Sequence, residues 1–172
     1  MPDWTCTDIP YHQPPGPPLT PRGIQEAEQL GSYLKQVGVQ RLFSSPLERA
    51  FHTARIVAQH TGVPYEIQSG LIEWQPGDTE EAVCQRIWPV FEHASQLSRE
   101  IGPVGLVTHG GPIAMLLQAL GMDAETLAAQ RVFEHSNPVP TAGAWQVDPG
   151  VAPGAWRAGD RASPKESHPS SP

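Results

Sequence analysis

Apolar residues recur at three- and four-residue spacing through Ile24, Ala27, Leu30, Leu34 and Val37, predicting one face of an amphipathic helix. Thr20 as N-cap, Pro21 in the first turn and Gly38 after the last apolar position bound it at 21–37. The run VQRLFSS, 39–45, reads as a strand, and SPLE after it as a capping box with Pro46 opening a helix that runs to Thr61 before Gly62. A second strand is expected at 63–69, then the loop GLIEWQPGD, then a helix from Glu80 to Glu100 kinked at Pro89. VGLVTH, 104–109, is the most apolar short run and predicts a buried strand. GGP then opens an apolar helix, IAMLLQAL. A short helical segment from Asp123 and a last strand at 142–147 complete the pattern. Strands alternating with helices predict an α/β fold: a three-layer sandwich whose mainly parallel sheet is flanked by helices.

The periodicity is missing at both ends. Six prolines before Thr20 (2, 10, 14, 15, 17 and 18) remove backbone donors and predict a loop. From Asp148 onward, twelve of twenty-five residues are Pro, Gly or Ser, so 148–172 is expected to be a disordered tail after a domain at 1–147.

Charge and cysteine content narrow the function. A net charge of −7 without a Lys/Arg cluster argues against nucleic acid as a partner. Cys6 and Cys84 form no C-x-x-C pair, and His52 and His60 stand eight residues apart on one helix, so neither a metal nor another cofactor is expected. No apolar run reaches the roughly 18 residues of a membrane span, and no signal-peptide pattern opens the chain. The expectation is a soluble, cytoplasmic protein with no membrane partner.

Ligands of open α/β sheets bind beyond the carboxyl ends of the strands, where three loops carry reactive side chains. His109 ends the apolar strand, and Gly110, Gly111 and Pro112 follow at a helix start, where free N–H groups favour an anion. Arg49 lies in the first turn of its helix, against the helix dipole; either Glu48 neutralises it locally or its guanidinium grips an anion shared with His109. Glu73, in the loop after Leu71 and Ile72, is either a solvated charge or a general acid. The chain has no G-x-S-x-G elbow, G-x-G-x-x-G or P-loop, and neither cysteine is followed six residues later by the arginine of a cysteine phosphatase loop.

Taken together, PLTPRGIQEAEQLG, SSPLERAFHTA, LIE and VTHGGPIAMLLQALG resemble the histidine phosphatase superfamily, in its phosphoglycerate-mutase-like branch, over about 18–147. The resemblance implies phosphoryl transfer through a phosphohistidine, without metal, on a small phosphate ester. It implies that Arg49 grips the phosphate, that His109 and Gly110 belong to the phosphate pocket, and that Glu73 protonates the leaving oxygen. It also implies a first strand ending in Arg-His-Gly or Arg-His-Ala, which supplies the nucleophile; neither motif occurs in this sequence. His12 is the only histidine before Thr20, follows no strand and is rejected as that nucleophile. The expectation is therefore a truncated phosphatase whose first strand lies upstream, and its absence should leave backbone groups unpaired and apolar surface exposed. The rival readings are a phosphate-binding module without turnover and a phosphoglycerate mutase; the short span between Glu73 and Val104 favours a phosphatase over a mutase. Trp4, Tyr11 and Asn137 are candidates for the substrate side, while the leaving group and oligomeric state are not readable from these motifs.

Overall fold

The computed structural model describes residues 2–129, apart from Trp4 and Thr7, and residues 141–147. The predicted tail at 148–172 and the candidates Trp4 and Asn137 lie outside the described residues. Helix α1 spans Pro21–Val37: the Thr20 hydroxyl accepts the Gly23 N–H, and Gly38 turns left-handed at φ 77 to end it. Both signals are local, so this helix keeps its predicted bounds. Thr20→Ala should cost about 1 kcal/mol of stability, read from the urea midpoint, because it strips one N-terminal donor of its partner.

Strand β1 (Arg41–Ser44) is central, paired in parallel with β2 (Tyr65–Ile67) on one side and β3 (Val104–Val107) on the other. Side chains alternate across the sheet and define its two packed faces. Leu42 packs with Leu30 of α1 and with Val57 of α2 (Glu48–Thr61). Phe43 faces the opposite way, onto Leu71, onto Ile87 and Ala94 of α3 (Glu80–Ile101), and onto Leu116 of α4 (Gly110–Ala119). Helices thus cover both faces of a parallel three-stranded sheet. A short helix, α5 (Ala124–Ala129), buries Leu127 against Ala114, Leu117 and Met122. No helix among the described residues is long and apolar enough to cross a membrane.

Three expectations need correction. The SPLE run is not a capping box: α2 starts at Glu48 with Leu47 as its cap and no side-chain cap bond. Ser45 is instead fully buried, and its hydroxyl accepts the Leu47 N–H at 3.3 Å and meets His109. Helix α3 contains Pro89 within its Glu80–Ile101 span, as the sequence predicts for 80–100.

β3 is half-buried at all four positions rather than buried, because among the described residues it pairs on one edge only. A cleft of about 530 Å³ runs beside it, walled by Leu30 and Leu34 on one side and Phe91, Ala94 and Leu117 on the other. Residues 142–147 pass through the cleft without forming the predicted strand; the described residues show one bridge position, at Ala144. A turn at 141–142, with Ala142 at φ 54, precedes it. Ala142 and Ala144 face the Leu30 layer, whereas Trp145 and Val147 face the α3–α4 layer. The segment keeps a strand's alternation without a strand's ladder.

Candidate active site

The ends of the three parallel strands deliver the candidate side chains to one place. β1 leads through Ser44 and Ser45 to Arg49, β2 through a 3-10 turn at Ser69–Leu71 to Glu73, and β3 through Thr108 to His109. The Thr108 hydroxyl donates to Leu71 O at 2.7 Å, joining the last two of these loops. Arg49, Glu73 and His109 are buried, and all three line the cleft together with Tyr11 and Gly110.

Arg49 is held by the proline-rich loop, not neutralised by Glu48. Its Nη1 donates to Tyr11 O at 2.9 Å, and its guanidinium carbon lies 3.9 Å from the centre of the Tyr11 ring. Its Nη2 is buried without a hydrogen-bond partner. Burial pulls the Arg49 pKa down, opposed by Tyr11 and Glu73, but a guanidinium keeps its proton inside proteins. The site therefore holds a fixed cation with a free donor.

Burial raises the Glu73 pKa, opposed first by the Trp74 N–H, then by Arg49, His12 and the Gly111 N–H. The Trp74 bond to Oε1 is 2.8 Å. A Cβ on Gly111 would lie 2.7 Å from Glu73 Oε1, so the second glycine of the GGP run is there to let this carboxyl reach the start of α4. The group that approaches the glycine pair is the protein's own carboxyl, Glu73.

His109 occupies the N-cap position of α4, and its Nε2 lies 2.7 Å from Ser45 Oγ. Burial, then Arg49 and His12, drives its pKa well below the ordinary 6.5, so at neutral pH the imidazole is uncharged. A neutral imidazole beside a cation and a carboxyl held toward its protonated form makes a site poised for a dianion and for delivering a proton.

Sequence reasoning missed three supporting residues. Ser45 reads as a helix cap in its local context, although its buried hydroxyl serves His109. Gln75 Nε2 donates to Glu73 O at 2.7 Å and to His12 O at 2.6 Å, tying the acid's loop to the proline-rich loop. Arg86 Nη2 donates to Glu73 O at 3.2 Å, and its Nη1 pairs with Asp78 at 2.7 Å. Neither Gln75 nor Arg86 belongs to a motif, so only the folded loops bring them to light. Among the described residues no group of three His, Cys, Asp or Glu side chains could hold a metal ion.

Residues 2–82 match the histidine phosphatase superfamily (branch 1). The chain is similar to that superfamily over this stretch. An adenosylcobalamin/alpha-ribazole phosphatase of Salmonella typhimurium is 43% identical over 63 residues, 37% of this chain and 31% of that protein. The aligned stretch thus spans under a third of that curated relative. Over the fold, the alpha-ribazole phosphatase of Shigella flexneri superposes with a TM-score of 0.57 at 28% identity, covering 72% of this chain and 77% of that one. A mycobacterial glucosyl-3-phosphoglycerate phosphatase in complex with inorganic phosphate superposes with a TM-score of 0.55 at 25% identity, over 60% of this chain and 69% of that one. In this phosphoglycerate-mutase-like fold, shared with those phosphatases, the three strand-end loops described above carry the candidate site.

Proposed function

We propose that this site binds the phosphoryl group of a small phosphate ester and serves phosphatase-type transfer through a phosphohistidine. The observation that carries the reading is Arg49: a buried guanidinium with a free Nη2, beside neutral His109 and a carboxyl raised toward its protonated form. Fixed cationic donors stabilise the charge spread over the equatorial oxygens of a transferring phosphoryl group. In the first step a histidine nitrogen bonds to phosphorus, the ester P–O bond breaks, and Glu73 gives its proton to the leaving oxygen. In the second step water attacks the phosphohistidine, phosphate leaves, and the water's proton returns to Glu73. The nucleophile this route requires belongs to an Arg-His-Gly or Arg-His-Ala motif, which these 172 residues do not contain.

The free Arg49 Nη2 also supports a second reading, a phosphate-binding module without turnover. The span from Glu73 to Val104 is occupied by one loop and helix α3, which favours a phosphatase over a mutase with additional substrate-covering segments. Assaying the 172-residue chain and its His109→Asn variant with p-nitrophenyl phosphate, alongside inorganic phosphate titrations, separates the readings. Turnover lost in the variant supports transfer, and phosphate binding without turnover supports the binding module. A chain that neither binds phosphate nor turns over the ester would refute both.

A further inference from the structure

We propose that His12 is a phosphate-binding residue of this site, its imidazole donating to the same anion that Arg49 grips. The proposal rests on the phosphoryl-site reading above and adds a residue that neither the motifs nor the topology assigns.

The loop that carries His12 is lashed to the site at three points. Arg49 Nη1 donates to Tyr11 O at 2.9 Å, Gln75 Nε2 to His12 O at 2.6 Å, and the Glu48 N–H to Pro15 O at 2.6 Å. Gln75 is itself fixed, since its N–H donates to Asp78 Oδ2 at 2.7 Å and Asp78 pairs with Arg86. The ring orientations are set as well. The His12 imidazole stands edge-on to Tyr11, with centroids 5.0 Å apart and planes at 83°, while the Tyr11 face carries the Arg49 guanidinium.

Two polar atoms of this cluster are buried without a hydrogen-bond partner, His12 Nδ1 and Arg49 Nη2. Buried donors are almost always paired, so two unpaired ones beside a fixed cation form a cradle that suits an anion. Phosphate oxygens are strong acceptors and would satisfy both. The titratable groups near His12 belong to three other elements: Arg49 on α2, Glu73 after β2 and His109 after β3. A positive charge on His12 would help to lower the pKa of Glu73 and of His109, so the three groups lie within electrostatic reach of one another. Donation to an equatorial phosphate oxygen needs no in-line approach to phosphorus, so this role does not require His12 to be the nucleophile.

The test is titration of inorganic phosphate into the wild-type, Arg49→Ala, His12→Ala and His12→Asn chains, with thermal melts to check folding. Alongside it, the histidine ring nitrogens of the wild-type chain are followed by 15N NMR. The His12 Nδ1 resonance is identified by its loss in His12→Asn. Expected are phosphate binding weakened about ten-fold or more in His12→Ala, an intermediate loss in His12→Asn, and a wild-type Nδ1 resonance that moves in step with saturation. If the wild-type chain binds no phosphate, the phosphoryl-site reading falls and this proposal with it. If phosphate binds and Arg49→Ala abolishes it, while His12→Ala retains wild-type affinity, only the proposal is overturned. Weaker binding by His12→Ala with an unmoved Nδ1 resonance shows a merely structural role, and also overturns it.

Discussion

Arg49→Ala should weaken inorganic phosphate binding by about two orders of magnitude or more, read by calorimetric titration. Each hydrogen bond to a charged partner contributes about 1.5–3 kcal/mol, and a guanidinium fork can offer a phosphate two of them. Neither remaining side chain supplies the same charge: His109 is neutral at pH 7 and Glu73 carries the wrong sign when ionised. Removal also takes the Arg49 bond from Tyr11 O and the guanidinium from the Tyr11 ring face, so the proline-rich loop loses one of its three anchors. Arg49→Lys distinguishes charge from geometry. A lysine retains the charge but cannot hold Tyr11 O and present a second planar donor together, so an intermediate loss of about ten-fold is expected. Wild-type affinity in Arg49→Ala would remove the central support of the proposed function.

What could be read in the sequence followed the range over which each element is specified. The bounds of α1 were legible because Thr20, Pro21 and Gly38 act within one turn of their neighbours. Strand ends were legible as sites because a parallel sheet sends all its carboxyl ends the same way, which is how residues 24 and 36 positions apart, Arg49, Glu73 and His109, come to one cleft. Ser45 was misread for the opposite reason: its local pattern is a cap, but its hydroxyl is committed to His109, 64 residues away. The glycine pair was half legible. An anion at the start of α4 is what GGP suggests, yet its identity as Glu73 appears only when the loop after β2 is folded against Gly111. Residues 142–147 have a strand's composition, but a strand also needs a partner edge and a straight approach, and the turn at Ala142 withholds the second.

Glu73→Gln should separate the stability and chemistry of this carboxyl. Burial raises the folded-state pKa above the ordinary 4.5, so between 4.5 and the folded-state value the folded chain keeps a proton that the unfolded chain has lost. Stability from this group is therefore full below 4.5 and drains away as pH rises through the folded-state pKa. Each pH unit separating the two pKa values is worth about 1.4 kcal/mol. Glutamine retains an Oε1 acceptor for the Trp74 and Gly111 N–H groups but has no proton to lose, so the variant escapes that loss. Its melting temperature should match the wild type near pH 4, exceed it as pH rises through the folded-state pKa, and keep a constant lead above that value. His109 works in the other direction, costing stability as pH falls below 6.5 because the folded imidazole resists its charge, but both chains contain it and the difference curve removes it to first order. A constant offset across the pH range would show that the carboxyl does not titrate abnormally. Chemistry should move the opposite way: with an alkyl phosphate, whose leaving alkoxide needs a proton, turnover should fall by about 10²–10⁴-fold. With p-nitrophenyl phosphate, whose leaving group departs as a stable anion, the loss should be much smaller. A variant that is more stable at neutral pH and selectively slow on basic leaving groups would assign Glu73 as the acid. Equal losses on both esters would assign it to phosphate positioning instead.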